Sequence, residues 1–346
     1  MVFLSLVLLL LAGAGYLFTF KRKLVDHAGH SAVIEKPAAR PEAPTANAWS
    51  SFDTHGKVAG ARFSPDGKLL AVVVNDKSVY FLDVATGLVA QRLEEPCCAI
   101  EGVGFSGDSR TLALAMNDGD GVRITLISML DGKFQTQVQE IRQQGSLVHS
   151  VEFSGDGKYL LSMIDNDAVL WKVGAGAIEK RFDVGVNGIC SMGTNGATIV
   201  SGGSNESEVK IWDVASGDVR LILSGHKEGL LSVAIASDGV TAVSGGYDAT
   251  ARIWDLPTGA LKAVLKHGAD DAIRAMAFSH SASNLATAGD SVRIWNLATK
   301  SVDQIFAANH VTSLAYSRDD RLLAGTDSNG KLMLWHLNLT SIQAGL

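Results

Sequence analysis

The chain has 346 residues, 47% of them hydrophobic and 19% charged, so it can bury a sizeable core in one large domain or two ordinary ones. Its formal net charge of −6 argues against nucleic acid as the main partner. Three cysteines, the neighbours Cys97 and Cys98 and the distant Cys190, make neither a disulfide framework nor a zinc-ligand pattern, and they read as small apolar residues.

Residues 1–20, MVFLSLVLLLLAGAGYLFTF, hold no charged side chain and as a helix would reach about 30 Å, the thickness of a bilayer core. Lys21, Arg22 and Lys23 follow at once, while no Lys or Arg precedes them, which places the following chain on the cytoplasmic side. The expectation is a retained transmembrane anchor meeting the lipid bilayer through residues 1–20. The competing reading is a signal peptide cut at Ala12-Gly13-Ala14, which would leave a secreted or periplasmic protein, but its basic start is missing. Residues 21–47 begin basic and then carry Pro37, Pro41 and Pro44 among Ala, Glu and Arg, the composition of a linker. His27 and His30 have the spacing of a metal pair on one helical turn, yet no further ligand adjoins them, and they read as solvated residues.

From residue 48 to 340 the chain is repetitive. The runs VYFLDVATG, ITLISMLDG, VLWKVGAG, VKIWDVASG, ARIWDLPTG, VRIWNLATK and LMLWHLNLT align on Leu82, Ile127, Trp171, Trp212, Trp254, Trp295 and Trp335, at intervals of 45, 44, 41, 42, 41 and 40. Such a period is that of a four-stranded propeller blade. Each run is preceded by a turn, SPDG at Ser64, SGDS at Ser106, SGDG at Ser154, TNG at Thr194, SDG at Ser237, SHSAS at Ser279 and SRDD at Ser317, so the count of seven does not rest on Trp alone. Only eleven residues follow Trp335, too few for another unit, whereas AWSSFDT at 48–54 precedes the first unit and belongs to none of its strands.

The most regular unit is 223–259, LSGHKEGLLSVAIASDGVTAVSGGYDATARIWDLPTG, with a Gly-His pair, alternating apolar runs about a Ser-Asp-Gly turn, and a closing Trp-Asp. It resembles one repeat of the WD-repeat β-propeller family. The resemblance implies an all-β, seven-bladed β-propeller of four-stranded antiparallel blades over 48–340, with 48–54 as the outer strand of the last blade. It also implies that His226, Ser244, Asp248 and Trp254 form one hydrogen-bonded set, in which the buried indole and imidazole donors find acceptors. A catalytic reading of the Ser, His and Asp is the weaker one, because a triad has no reason to keep register with a repeat and a Trp. Only this fifth unit shows the complete set; the first two lack the Trp, the fourth has Glu206 for the Asp, and the sixth is shortened around Asp290.

In this family partners commonly meet the narrower, top face of the ring. Carried over, that face would hold Lys57, Glu101, Leu147, His149, Leu231, Tyr247, Arg274, His310 and Thr312, a mixture of aromatic, cationic and apolar groups suited to a protein interface. The fourth blade contributes none, its register around Asn187–Cys190 being ambiguous.

The chain has no GxxxxGK[ST], no GxGxxG after a strand, no HExxH and no CxxCH, so no phosphate loop, metal site or haem attachment is read from it, and no cofactor is expected. Asn205-Glu-Ser and Asn338-Leu-Thr fit a glycosylation pattern that a cytoplasmic head would not present to the modifying machinery. The leading expectation is a membrane-anchored, non-enzymatic scaffold or accessory subunit that binds one or more proteins. A propeller hydrolase or oxidoreductase would need polar residues converging on the ring axis, and the inner runs GARFS, GVGFS, SVEFS, SVAIA, AMAFS and SLAYS are largely apolar or small. A subunit like the β subunit of heterotrimeric G proteins would want an N-terminal coiled coil where an apolar span and a Pro-Ala linker stand.

Overall fold

The computed structural model describes residues 22–25, 31–35 and 58–337, apart from 75–76, 96–97, 120, 144–146, 269–270 and 309. Residues 1–20, strand 48–54, Lys57 and Cys97 lie outside the described residues. Among the described residues seven antiparallel sheets follow one another along the chain, and from Val58 onward the strands of each run across it in sequence order. One edge strand of each, Val58–Phe63, Ala99–Phe105, Val148–Phe153, Gly188–Met192, Leu230–Ile235, Ala275–Phe278 and Val311–Tyr316, lines one central cavity. They are the inner strands of seven blades.

Register shows why the repeats align. In the third strand of each blade one residue pairs with the second strand at an equivalent position: Leu82 with Leu70, Ile127 with Leu112, Trp171 with Leu160, Trp212 with Ile199, Trp254 with Ala242, Trp295 with Leu285 and Trp335 with Leu323. Leu82 and Ile127, 0% and 2% exposed, therefore occupy the indole position of the two blades without Trp.

Side chains alternate across each blade with period two, so a blade sends its odd residues to one neighbour and its even residues to the other. In the second strand of blade 1, Leu69, Ala71 and Val73 join a cluster with blade 2, whereas Leu70, Val72 and Val74 join one with blade 7. Seven hydrophobic clusters result, one at each blade–blade contact. The last of them packs Val58, Phe63, Leu70 and Leu82 of blade 1 against Leu322 and Ala324 of blade 7, and Val58 N–H donates to Gly330 O at 2.8 Å. The ring is closed by packing.

One end of the ring is built from the Ser-x-Asp turns. Ser64, Ser106, Ser154 and Ser317 donate their hydroxyls to Asp66, Asp108, Asp156 and Asp319 at 2.6–2.7 Å and accept the amide that opens the next strand at 2.9–3.0 Å. In all seven turns the residue that closes the bend lies at positive φ: Gly67, Gly157, Gly196 and Gly239, but also Ser109, Ala282 and Asp320. The non-glycine choices carry a cost of about 1 kcal/mol each. Neighbouring turns touch backbone to backbone; a Cβ on Gly155 would come within 2.5 Å of Thr194 O.

Two blades depart from four strands. Blade 7 has three among the described residues, Val311–Tyr316, Leu322–Asp327 and Leu332–His336. Blade 1 has six, because Ser31–Glu35 pairs with its outer strand Val89–Glu94 and Arg22–Val25 pairs with Ser31–Glu35. Two stretches of the segment that reads as a linker are thus a hairpin on the rim of blade 1; RKLV and SAVIE hold the β-branched and apolar residues Leu24, Val25, Val33 and Ile34, and the prolines come only after them. Among the described residues no helix is long and apolar enough to cross a membrane.

Candidate functional site

At the end of the ring opposite the Ser-x-Asp turns, blade 5 brings His226, Ser244, Asp248 and Trp254 together. Trp254 Nε1–H donates to Ser244 Oγ at 2.8 Å, Ser244 Oγ lies 2.7 Å from His226 Nε2, and His226 Nδ1 lies 3.0 Å from both carboxylate oxygens of Asp248. With the proton on Nδ1 facing the carboxylate, Nε2 accepts the serine hydroxyl and every donor is matched. Asp248 also accepts the amide of Lys227 at 3.1 Å and both the amide and the hydroxyl of Thr250 at 3.1 and 2.8 Å, so one carboxylate ties the inter-blade loop to the turn before the third strand.

These distances match a nucleophilic relay, but the surroundings do not. Ser244 is 0% exposed, and its oxygen already accepts the indole N–H. A nucleophile must reach its substrate. The set is a strut.

The same device recurs in part. Trp171, Trp212 and Trp295 donate to Ser162, Ser201 and Thr287, each at 2.8 Å. Blade 6 adds a second histidine–carboxylate pair, His267 Nδ1 to Asp271 Oδ2 at 2.6 Å, with Asp271 Oδ1 accepting the amide of Asp290 at 2.7 Å. The fifth blade is therefore not alone. In blade 6 the carboxylate comes from the loop before the inner strand, which supplies the bond that Asp290 in the shortened turn does not. Blade 2 substitutes a buried ion pair, Arg123 Nη2 to Glu95 Oε2 at 2.9 Å, with side chains 4% and 8% exposed.

Burial pushes both His226 and His267 below the ordinary histidine value of 6.5, with Arg252 and Arg293 acting in the same direction against the attraction of Asp248 and Asp271. Burial alone would raise Asp248, but its bonds from Thr250, Lys227 and His226 hold it below the usual aspartate value. For a histidine depressed in the fold, the unfolded chain binds more protons once pH falls below about 6.5, so stability falls with pH there. The melting temperature is expected to decrease from pH 7 to pH 5.5, and His226→Asn with His267→Asn to flatten that slope. An unchanged slope in the double variant would show that these imidazoles do not govern it.

The residues expected on the top face separate into groups. Tyr247 is 46% exposed, and Ile273 N–H donates to Gly246 O at 3.0 Å, which sets Tyr247 and Arg274 side by side on adjoining blades. Arg274 Nη1 and His310 Nδ1 lie 4.0 and 3.7 Å from the same oxygen of Asp290. Thr312 is exposed at the start of the next inner strand and donates to Thr326 O at 3.1 Å. Across the ring, exposed Glu101 accepts from Asn117 Nδ2 at 3.2 Å, while Asn117 Oδ1 accepts Val148 N–H at 2.9 Å between Leu147 and His149. Leu147 is 50% exposed and His149 exposed, but Leu231 is half-buried. The fourth blade, with no member in the sequence reading, is flanked by Val186, 56% exposed in the loop before its inner strand. Leu147, Val186 and Tyr247, on blades 3, 4 and 5, thus present apolar surface at the same end of the ring, with Tyr247 next to the Arg274–Asp290–His310 cluster. Among the described residues no group of three His, Cys, Asp or Glu side chains is placed to hold a metal ion.

Residues 48–83, 217–255 and 302–336 match the family model described as WD domain, G-beta repeat. The chain is 34% identical over 151 residues to the small ribosomal subunit protein RACK1y of Oryza sativa subsp. japonica, covering 41% of this chain and 44% of that protein. It is 30% identical over 145 residues to the small ribosomal subunit protein RACK1 of Drosophila melanogaster, covering 38% and 45%. It is also 30% identical over 162 residues to a guanine nucleotide-binding protein subunit beta of Solanum tuberosum, covering 40% and 43%. The chain matches less than half the length of each of these relatives. Three of its segments match the WD repeat, and the seven sheets form a β-propeller.

Proposed function

We propose that this WD-repeat propeller is a non-enzymatic protein-interaction scaffold, anchored in a membrane by residues 1–20 with the ring on the cytoplasmic side, and that its top face receives the partner. The observation that carries the reading is the juxtaposition of a half-exposed aromatic, Tyr247, with Arg274 on the next blade, bordered by exposed apolar residues on the blades to one side. Aromatic and arginine anchors dominate protein interfaces, each contributing roughly 2 kcal/mol or more when central. Two kinds of support come from the relatives: by name one is a protein of the small ribosomal subunit and another a subunit of a guanine nucleotide-binding protein, so related chains work as parts of assemblies. A relay whose serine is wholly buried also speaks against a hydrolase.

The test is purification of the full chain from detergent-solubilised membranes. The wild type is expected in the membrane fraction with a co-purifying protein. Tyr247→Ala with Arg274→Ala should abolish that partner while leaving the melting temperature within a few degrees, as surface changes do. Recovery of the wild type only in the soluble fraction would sink the anchor; a partner retained by the double variant would move the interface elsewhere.

A further inference from the structure

One level of the central cavity carries charge. Arg62 of blade 1 and Glu152 of blade 3 hold the same register, pairing with Ala71 and Leu161 one residue before Phe63 and Phe153. The equivalent residues of the other blades are Gly104, Ser191 and the alanines of blades 5, 6 and 7. All seven line the same cavity of about 490 Å³. Five small residues leave space at this level, and two opposite charges face it.

The two charges do not close on each other. Arg62 is exposed into the cavity and makes no ion pair among the described residues, although its field reaches Glu152. Among the described residues Glu152 accepts only Met192 N–H, at 3.4 Å, and burial raises its carboxyl above the ordinary glutamate value. Gly104, the residue at this level on the blade between them, fills none of the gap; a Cβ there would come within 3.1 Å of Val151 O. The buried pair Arg123–Glu95, in contact at 2.9 Å, shows what a purely structural ion pair looks like in this ring. Glu152 is the half-buried member of the two, and a charge drawn out of water needs a partner of opposite sign.

The geometry points to a binding site for a small zwitterion at this level, its carboxylate on the Arg62 guanidinium and its ammonium on Glu152. A guanidinium fork matches a planar carboxylate through two parallel bonds. The cavity lies within the usual size of a small-molecule site, roughly 300–1,000 Å³. Cys190 and Ser191 line the wall beside Glu152; the Cys190 thiol is pushed up by burial and by that carboxylate, so it stays protonated and unreactive there. This inference is independent of the protein-interaction reading, since it concerns the axis of the ring and not its top face.

The test is calorimetric titration of the full chain with glycine, 4-aminobutanoate and 6-aminohexanoate, which step the distance between the two charges, alongside acetate and methylammonium, which carry one charge each. One amino acid is expected to saturate and to bind at least about tenfold more tightly than either single-charge control. Arg62→Gln and Glu152→Gln should each weaken it by about tenfold or more. Ala277→Leu, which fills the same level without altering either charge, should block it as well and guards against a charge variant that fails to fold. No saturation by any probe, amino acids no tighter than the controls, or binding that survives all three substitutions would overturn the site. Retention of the top-face partner by these variants is expected in either case, which separates this result from the scaffold test.

Discussion

Glu95→Ala is expected to lower the free energy of unfolding by about 2–3 kcal/mol, because it takes the nearer of two carboxylates from the buried Arg123 guanidinium and leaves Glu140 Oε2, 4.0 Å away, to balance it. Arg123 and Glu95 are 4% and 8% exposed, and the guanidinium also lies against Cys98 Sγ at 2.9 Å and Met116 Sδ at 3.6 Å, so little of either charge is solvated. The matched control is Asp167→Ala, which removes the exposed partner of Arg181, 3.5 Å away and 38% exposed, and should cost no more than about 1 kcal/mol. Replacing both members, Glu95→Leu with Arg123→Met, should recover much of the loss, since an apolar pair of similar volume avoids desolvating charge. Chemical denaturation reads all three. Equal costs for Glu95→Ala and Asp167→Ala would mean that the pair is solvated and that blade 2 is held by apolar packing alone.

Asp248→Ala should cost about 3 kcal/mol, near the upper range for a single buried acceptor. The side chain is 5% exposed and accepts from His226, Lys227 and Thr250, so its loss strands donors in the inter-blade loop and in the turn before the third strand at once. Glu179→Ala, on an exposed outer-strand acid, should stay within about 0.5 kcal/mol. Coincident thermal melts of the two variants would show that the carboxylate does not bear on the fold.

What the sequence shows clearly is whatever recurs at the blade period. Leu82 and Ile127 align with five tryptophans by spacing alone, and the register of every second–third strand pair agrees with that alignment. The turns are equally plain, because a tight bend closed at positive φ recurs in all seven blades, four of them through Ser-x-Asp. What escapes a repeat-based reading is what one blade does differently. Glu95 and Arg123 stand 28 residues apart with no motif to join them. His267 and Asp271 are four residues apart, in KHGADD, but the search for a carboxylate in the turn passes over one placed in the preceding loop. Arg62 and Glu152 sit in GARFS and SVEFS, runs that read as apolar or small; only the ring brings blade 1 and blade 3 to a common axis.

The seven hydrophobic clusters also bear on how the chain can be cut and joined. No blade owns a core: each supplies half of two, so deleting a repeat would leave two bare half-cores, whereas the contact between blades 7 and 1 is made like the other six. A polypeptide of this kind has a direction but its architecture has no first member. Moving the chain's opening to any loop between two blades would keep all seven contacts, which makes the order of the blades around the circle, and not the point where the chain begins, the quantity that the packing specifies.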